Sequence, residues 1–245
     1  MIVFVHGVGE TAAIWTDMRR VIGRESIALS LPGFGCRRPA SFNPTMNDYA
    51  QWLAGELEKI GGPIDLVGHD WGAGFTYRVA AKFGHQLRSW CGDIGNVFHP
   101  RYEWHSFAKL WQTKGEGENY FANQILLRPK ERASLYEDSG LDPAQAIKMA
   151  GELDAIMARC TLDLYRSAMP NPHHQWGPWT PTNAPGLVLH AIDDPLGHEG
   201  LAREVAISLG ARFKRIANSG HFWPCQQPTQ TAAILKSFWA SIYDG

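Results

Sequence analysis

Short apolar runs alternate with longer segments of helical spacing along most of the chain. The first run, Ile2-Val3-Phe4-Val5, has no polar position, as expected for a strand buried on both faces of a parallel sheet. The same pattern predicts further strands at residues 27–31, 64–67, 87–94, 187–190 and 212–216. Helical spacing predicts helices at residues 14–22, 45–60, 75–83, 199–209 and 227–243. This alternation indicates an α/β fold with a mostly parallel, doubly wound sheet.

The pattern changes between residues 98 and 182. Helical segments rich in Trp, Tyr and Gln replace the alternation there, at residues 104–111, 120–127, 143–149 and 156–165. Five prolines then mark the return to the sheet: Pro170, Pro172, Pro178, Pro181 and Pro185. We therefore expect a helical cap, residues 98–182, inserted into a core formed by residues 1–97 and 183–245.

A glycine-bracketed turn, Gly68-His69-Asp70-Trp71-Gly72-Ala73-Gly74, follows the predicted strand at residues 64–67. Strand, tight turn and helix in this order form a nucleophile elbow, G-x-nucleophile-x-G, with Asp70 at the position of the nucleophile. The glycines allow neighbouring backbone to approach a strained turn without Cβ clashes. A carboxylate at this place can attack an electrophilic carbon and form an alkyl ester. The alternative is that Asp70 only caps the helix that follows.

With this elbow the chain resembles the α/β-hydrolase superfamily, and within it the branch with an aspartate nucleophile. That branch contains epoxide hydrolases, haloalkane dehalogenases and haloacetate dehalogenases. The stretch His69-Asp70-Trp71-Gly72 is similar to the first two classes, whereas haloacetate dehalogenases carry Arg where Trp71 stands. The resemblance implies the α/β-hydrolase fold, with the residue 98–182 insertion as the lid that the family carries.

The resemblance also implies a base and an acid. His221, in the stretch 218–224, follows the last predicted strand, where the family places the base that deprotonates water. Asp194 resembles the acid of the family's G-x-x-D-P motif, with Ala191 in place of its glycine. Asp93 is the alternative acid, because haloacetate dehalogenases and some relatives place theirs after the preceding core strand. Either acid would orient the imidazole and stabilise its cation.

The stretch His6-Gly7-Val8-Gly9 resembles the HG-x-P oxyanion loop of epoxide hydrolases. The resemblance implies that the backbone N–H groups of Val8 and Trp71 hold the negative charge that forms when water attacks the ester. Gly9 stands where the family has Pro, which leaves the loop more flexible. Val8 also occupies the position at which one large group of haloalkane dehalogenases binds halide with Asn, and Val cannot do this.

Tyrosines in the cap are candidates for protonating the oxygen of an opening epoxide, because a Tyr hydroxyl donates a proton and stays neutral at pH 7. Tyr165, in Leu164-Tyr165-Arg166, resembles the Tyr-Arg pair in which epoxide hydrolases carry one ring-opening tyrosine. Tyr120, in the stretch 119–124, resembles more loosely the segment with the other tyrosine. Two further cap tyrosines are alternatives: Tyr102 and Tyr136.

Three functions are compatible with these motifs. The favoured one is a cofactor-independent epoxide hydrolase that converts an apolar epoxide and water into a vicinal diol. A haloalkane dehalogenase would use the same Asp70, His221 and acid, with halide bound by indole N–H groups of Trp71, Trp104 or Trp111. A non-catalytic small-molecule receptor would keep the cavity and lose the chemistry. The set of candidate nucleophile, base and acid favours an enzyme over a receptor.

Composition limits the classes of partner and cofactor that we expect for this protein. A chain of 245 residues can bury one sizeable core, and its net charge of −1 provides no electrostatic footprint for nucleic acid or an anionic membrane. The four cysteines lack CxxC spacing, which argues against a zinc site and a disulfide framework. No metal or cofactor is expected. Met1 lies directly on a strand without a signal-like or transmembrane run, so we expect a cytoplasmic protein. A homodimer is compatible with the sequence but not required by it.

Overall fold

The apolar runs form the strands of one sheet. A computed structural model describes residues 1–243, apart from the side chain of His85. In this part of the chain six strands form a fully parallel sheet of order β2-β1-β3-β4-β5-β6. The strands are β1 (Ile2–Val5), β2 (Ser26–Leu29), β3 (Ile64–Gly68), β4 (Leu87–Gly92), β5 (Gly186–Ala191) and β6 (Arg212–Ile216). Every residue of β1, β3 and β5 is buried, as expected for strands covered on both faces.

Helices cover both faces of the sheet, and others fill the connection between β4 and β5. Over residues 1–243 they are α1 (Thr16–Ile22), α2 (Met46–Ile60), α3 (Trp71–Phe83), α4 (Ser106–Gln112), α5 (Glu116–Leu126), α6 (Pro129–Arg132), α7 (Ser134–Glu137), α8 (Pro143–Gly151), α9 (Ala155–Ser167), α10 (His173–Trp176), α11 (Glu199–Ser208), α12 (Trp223–Gln226) and α13 (Pro228–Tyr243). Buried side chains of α2, α3 and α11 share one hydrophobic cluster, and those of α1 and α13 share another. The doubly wound arrangement predicted from the sequence is therefore confirmed.

Two predicted strands end earlier than their apolar runs. The run at residues 27–31 stops pairing at Leu29, because the N–H of Leu31 donates to the ring of His6 (3.1 Å) and not to a neighbouring strand. The run at residues 87–94 stops at Gly92, and Ile94 turns the chain with a φ of 43°. Both runs thus end in turns at the edge of the sheet where the candidate site lies.

The insertion between β4 and β5 is helical, with α4–α10 spanning residues 106–176. The helices predicted at residues 104–111, 120–127, 143–149 and 156–165 correspond to α4, α5, α8 and α9. The one-turn helices α6, α7 and α10 were not predicted, because four residues are too short to show a period. The last two residues of the predicted core segment 183–245 lie outside the described residues.

Buried Arg132 joins several of these short cap helices. Its guanidinium donates to the carbonyl oxygens of Gln124 (3.0 Å), Leu127 (3.1 Å) and Ala150 (2.7 Å). Carbonyls at helix C-termini lack intrahelical partners, and this cation binds such groups at the ends of two cap helices. The cap is thereby held as a packed unit over the carboxyl ends of the strands. Among residues 1–243, no helix has the length and apolar character needed to span a membrane.

Candidate active site

Asp70 occupies the turn between β3 and α3 in a strained backbone conformation. Its φ of 51° and ψ of −126° lie in a region that residues other than glycine rarely adopt. The turn is possible because Gly68 and Gly72 have no Cβ. A Cβ added at either position would overlap backbone atoms of the facing segment. The strand, turn and helix predicted from the motif are all present. The Asp70 side chain lines a pocket that is shared by core and cap.

The loop after β1 lies directly against the Asp70 carboxylate. The backbone N–H of Val8 donates to Oδ1 of Asp70 over 2.9 Å. The N–H of Trp71 is the first of α3 and has no acceptor within its own helix. These are the two groups that the sequence predicted for an oxyanion hole, and they belong to segments that meet at the Asp70 side chain.

Two buried side chains hold the shape of this loop. Nδ1 of His6 donates to the Gly7 carbonyl (2.8 Å), and its Nε2 accepts the Leu31 N–H (3.1 Å). Burial lowers the pKa of His6 to about 4, so the ring is neutral at pH 7 and keeps this pattern. Oε1 of Glu10 accepts the Gly7 N–H over 2.5 Å, and burial raises the pKa of Glu10 to about 7. Sequence reasoning did not single out Glu10, although it directly follows the loop motif.

His221 lies between two carboxylates. Its Nδ1 donates to Oδ2 of Asp194 over 3.0 Å, and its Nε2 is 3.9 Å from Oδ2 of Asp70. Oδ1 of Asp194 accepts the N–H of Leu196 (2.8 Å), which fixes the carboxylate plane. A separation of 3.9 Å is too long for a hydrogen bond, so Oδ2 of Asp70 stays free to react.

Asp93, the alternative acid, has other partners. Its Oδ1 accepts the backbone N–H of Asp70 (2.8 Å), and its Oδ2 accepts Nδ1–H of His69 (2.5 Å) and Nε1–H of Trp223 (2.5 Å). Three donors occupy this carboxylate, and none of them is His221. The geometry pairs His221 with Asp194, and it makes Asp93 the group that fixes the backbone of the elbow.

The two carboxylates determine the charge of the imidazole. Burial by itself would lower the pKa of His221, but the charge and hydrogen bond of Asp194, together with the charge of Asp70, raise it to about 10. Burial by itself would raise the pKa of Asp194, but the His221 ion pair and the Leu196 N–H keep it lowered. At neutral pH the site thus holds an imidazolium between two carboxylates.

The ion pair of His221 and Asp194 should make the free energy of unfolding depend on pH. The pKa of His221 in the folded state is above its ordinary value of 6.5, so its contribution is complete below about pH 6.5 and is lost as the pH rises through about 10. We expect the free energy of unfolding to fall over that window. Asp194→Asn should flatten the decline, because it removes the main charge that raises the His221 pKa. Urea unfolding measured across the window tests this.

The matched control is Asp193→Asn, which makes the same change at the exposed neighbouring residue. This variant should keep the wild-type slope, because no hydrogen bond or ion pair joins its side chain to His221 in the described part of the chain. Equal slopes for wild type and Asp194→Asn would contradict the assignment of Asp194.

Core and cap residues enclose a small pocket over Asp70 and His221. Tyr165 lines it, with its ring edge-on to the Trp71 indole at a centroid distance of 5.6 Å. Burial and the charge of Asp70 raise the pKa of Tyr165, although hydrogen bonding with the Trp71 side chain opposes this. The cap position predicted for Tyr165 therefore brings a neutral phenol into the same pocket as the carboxylate.

Tyr120, the predicted second tyrosine, does not line this pocket. Its ring packs against the rings of Phe107 (6.0 Å), Trp111 (6.1 Å) and Phe121 (5.2 Å) in a separate cluster of the cap. Tyr102, an alternative in the sequence analysis, lines the pocket instead. Burial and the Asp70 charge raise its pKa, and a hydrogen bond from the His105 backbone opposes them. The structure thus places Tyr102 in the pocket and Tyr120 outside it, because cap packing and not chain position decides which ring lies near Asp70.

Two cap tryptophans lie near the pocket. The Trp104 indole stacks on Trp71 at a centroid distance of 6.1 Å and lines the pocket, and the Trp111 ring contacts Tyr165 at 4.9 Å. Within residues 1–243, the buried Nε1–H groups of Trp104 and Trp111 have no hydrogen-bond acceptor. Trp104 thus provides the second indole near Trp71 that the sequence alone was unable to place.

His105 also lines the pocket and was not predicted. Its Nδ1 accepts the Ala108 N–H (3.2 Å) at the start of α4, so the neutral ring carries its proton on Nε2. Burial lowers its pKa, although the charge of Asp70 opposes this. The ring of this pocket residue therefore stays neutral at pH 7. In the sequence His105 looks like an ordinary residue at the start of a helix. Nothing there indicated that its side chain would line the same pocket as Asp70.

Comparisons with known proteins agree with this architecture. A family model described as the alpha/beta hydrolase family matches residues 2–234. An epoxide hydrolase from Bacillus megaterium is similar, with a TM-score of 0.80 and 16% identity over 97% of this chain and 92% of that one. A loop variant of the haloalkane dehalogenase DbeA from Bradyrhizobium elkanii has a TM-score of 0.74 and 18% identity over 99% and 91%.

A third similar structure is NosK from Streptomyces actuosus, with a TM-score of 0.67 and 19% identity over 99% of this chain and 98% of that one. No curated protein matches the chain. At these identities the structural matches show a shared fold, whereas the family model extends over nearly the whole sequence. By this match and by its sheet, elbow and cap, the chain belongs to the α/β-hydrolase family.

Proposed function

We propose that this protein is an epoxide hydrolase that converts a small apolar epoxide into a vicinal diol through an ester on Asp70. One observation carries the proposal: the free Oδ2 of Asp70 lies 3.9 Å from the His221 imidazole, in a pocket that two neutral phenols, Tyr165 and Tyr102, also line. A nucleophile, a base and a neutral proton donor are the groups that this reaction requires. The rest of the lining is largely apolar, with Ile94, Val97, Trp104 and Leu196.

In the first step Oδ2 of Asp70 attacks one oxirane carbon while the bond from that carbon to oxygen breaks. The oxygen takes the proton of Tyr165. The oxygen of this phenol faces the Trp71 side chain as a hydrogen-bond partner, so its own proton is available to the substrate. The Tyr102 oxygen likewise accepts a hydrogen bond from the His105 backbone, so its proton is also available. The products of the step are a hydroxyalkyl ester on Asp70 and a tyrosinate.

Ester formation then changes the charge of the site. The negative charge of Asp70 disappears, and with it one of the charges that raise the pKa of His221. The imidazolium therefore becomes a better acid, and its proton neutralises the tyrosinate. His221 is left neutral beside Asp194, in the state in which it can act as a base. In this proposal, alkylation of the nucleophile itself activates the base.

In the second step His221 takes a proton from a water molecule that attacks Cγ of the ester. The charge that develops on Oδ1 of Asp70 is held by the N–H groups of Val8 and Trp71. The bond between Cγ and the alkoxide oxygen breaks, and the alkoxide takes the proton of the new carboxyl group. The site returns to its starting charges, and the diol is released.

Tyr165→Phe tests the proposal, because it removes a proton donor and leaves the nucleophile in place. We expect ester formation from an aryl epoxide to slow by about 100-fold. Tyr120→Phe is the matched control and should behave as wild type, because Tyr120 lies outside the pocket. Diol formation by both variants and wild type, measured under single-turnover conditions, gives the comparison. Diol formation that does not depend on Tyr165 would contradict its role.

A haloalkane dehalogenase is the second candidate, favoured by the stacked Trp71 and Trp104 indoles and by the unpaired Nε1–H of Trp104. These groups would stabilise a departing halide, which needs no proton. Wild-type protein should therefore be given an aryl epoxide and a short 1-bromoalkane in parallel. Diol without bromide supports the epoxide hydrolase, and bromide without diol supports the dehalogenase. The absence of both products and of any adduct on Asp70 would favour a receptor.

A further inference from the structure

Gly9 gives the oxyanion loop a conformation that proline cannot adopt. Its φ is 77°, whereas the proline ring fixes φ near about −65°. Glycine at such a position costs more conformational entropy to hold than any other residue. Some other contact must therefore keep the end of the loop in place, so that the N–H of Val8 stays directed at Asp70.

A cap residue makes this contact. The hydroxyl of Tyr136, on α7, donates to the Gly9 carbonyl oxygen over 2.7 Å. Its ring packs against Phe222, the neighbour of His221, at a centroid distance of 6.0 Å. Burial raises the pKa of Tyr136, so the hydroxyl stays protonated and available as a donor at neutral pH.

The segment that carries Tyr136 is itself held by the core. Nε2 of Gln226 donates to the Gly140 carbonyl (2.8 Å), and Oε1 of the same amide accepts the Gly220 N–H (2.9 Å). Within the segment itself, the N–H of Leu141 donates to the Tyr136 carbonyl (3.1 Å). Tyr136 is therefore a fixed anchor for the loop and not a mobile side chain at the edge of the cap.

We propose that Tyr136 is a positioning residue that holds the oxyanion loop from the cap, through Gly9, and so directs the Val8 N–H at Asp70. This inference rests on the proposed function for its kinetic consequence but not for the contact itself. Besides the contacts of His6, three hydrogen bonds then fix the loop, which are the Gly7 N–H on Glu10, the Val8 N–H on Asp70 and the Gly9 carbonyl on Tyr136. The first two come from the core, and only the third comes from the cap.

The Val8 N–H affects the two chemical steps in opposite directions. Before the reaction it stabilises the carboxylate of Asp70, so a weaker contact does not slow nucleophilic attack. In ester hydrolysis it stabilises the developing oxyanion, so a weaker contact slows this step. Complete loss of an oxyanion donor typically costs about 100- to 1000-fold in rate, and a donor that is only loosened should cost less, about 10-fold.

Tyr136→Phe tests the proposal, since it removes the hydroxyl and keeps the ring against Phe222. Hydrogen exchange of the Val8 amide, followed by mass spectrometry of the peptide around residues 4–11, should be faster in this variant than in wild type. With an aryl epoxide, hydrolysis of the Asp70 ester should slow about 10-fold while ester formation does not slow. The fraction of ester-bearing protein at steady state should rise accordingly. Tyr120→Phe, which also removes one cap hydroxyl, should change neither quantity.

Unchanged exchange at Val8, or equal slowing of both chemical steps, would overturn the role of Tyr136. Equal slowing would indicate a general loss of structure. If the wild type forms no ester at all, the proposed function fails, and the exchange measurement alone still decides whether Tyr136 holds the loop.

Discussion

Asp70→Asn is expected to reduce turnover of an epoxide by about 10,000-fold or more, because the amide oxygen is a poor nucleophile and the neighbouring Asp93 carboxylate is already occupied by three donors. The substitution keeps the shape of the side chain, and its carbonyl oxygen can still accept the Val8 N–H that meets Oδ1 at 2.9 Å. The strained turn should therefore persist. Diol formation should be measured together with the intact mass of the protein.

The mass measurement is needed because an asparagine in this position can revert to aspartate by deamidation, which restores activity. Asp193→Asn is the control for an isosteric change at a neighbouring but exposed carboxylate, and it should retain activity. Epoxide turnover by Asp70→Asn protein whose mass shows no reversion would rule out the ester mechanism.

His221→Gln is expected to separate the two chemical steps. Asp70 keeps its free Oδ2 and the tyrosines keep their protons, so one equivalent of epoxide should still react. The ester should then persist, because no base remains to activate water, and its hydrolysis should slow by about 1000-fold or more. Intact mass spectrometry should show an adduct equal to the mass of the epoxide, and peptide mapping should locate it on Asp70.

Asp194→Asn should have an intermediate effect on ester hydrolysis. It leaves the imidazole in place and removes only the carboxylate 3.0 Å from Nδ1. Its ester should persist for less time than that of His221→Gln and longer than that of wild type. Normal turnover by His221→Gln would show that another group activates the water. An adduct on a residue other than Asp70 would show that the nucleophile has been misassigned.

The sequence predicted the local structure around Asp70 because the signals for it are local. The strand, the glycine-bracketed turn and the helix around Asp70 are consecutive, and the structure forms them in the predicted order as β3, Asp70 and α3. Fully buried strands such as β1 and β5 appear in the sequence as continuous apolar runs. The family resemblance, the parallel sheet and the hydrolase fold are confirmed by the family match and by the sheet order.

The sequence favoured Asp194 over Asp93 as the acid but did not decide between them. Both residues follow core strands, β5 and β4, which are neighbours in the parallel sheet. The carboxyl ends of such strands lie at one edge, so chain position places both acids near His221. Only the folded arrangement shows that three donors occupy Asp93, whereas Asp194 accepts from the imidazole.

The cap residues that line the pocket were still less predictable. Which side chains of the cap helices reach the pocket depends on how the helices pack and not on their order in the chain. Tyr120 joins a cluster within the cap, whereas Tyr102 and His105 line the pocket. Tyr136 bonds to the oxyanion loop, 127 residues away in the sequence. A periodic pattern shows which face of a helix is apolar, but it does not show which neighbour that face meets.

The sequence by itself determined the strands, the elbow with Asp70, the position of His221 and the presence of a helical insertion, because each depends on residues close together in the chain. The tertiary structure alone decided the partner of His221, the tyrosines that face Asp70 and the contact that holds Gly9. These depend on contacts between distant segments, whose geometry follows from the packing of the whole sheet and cap.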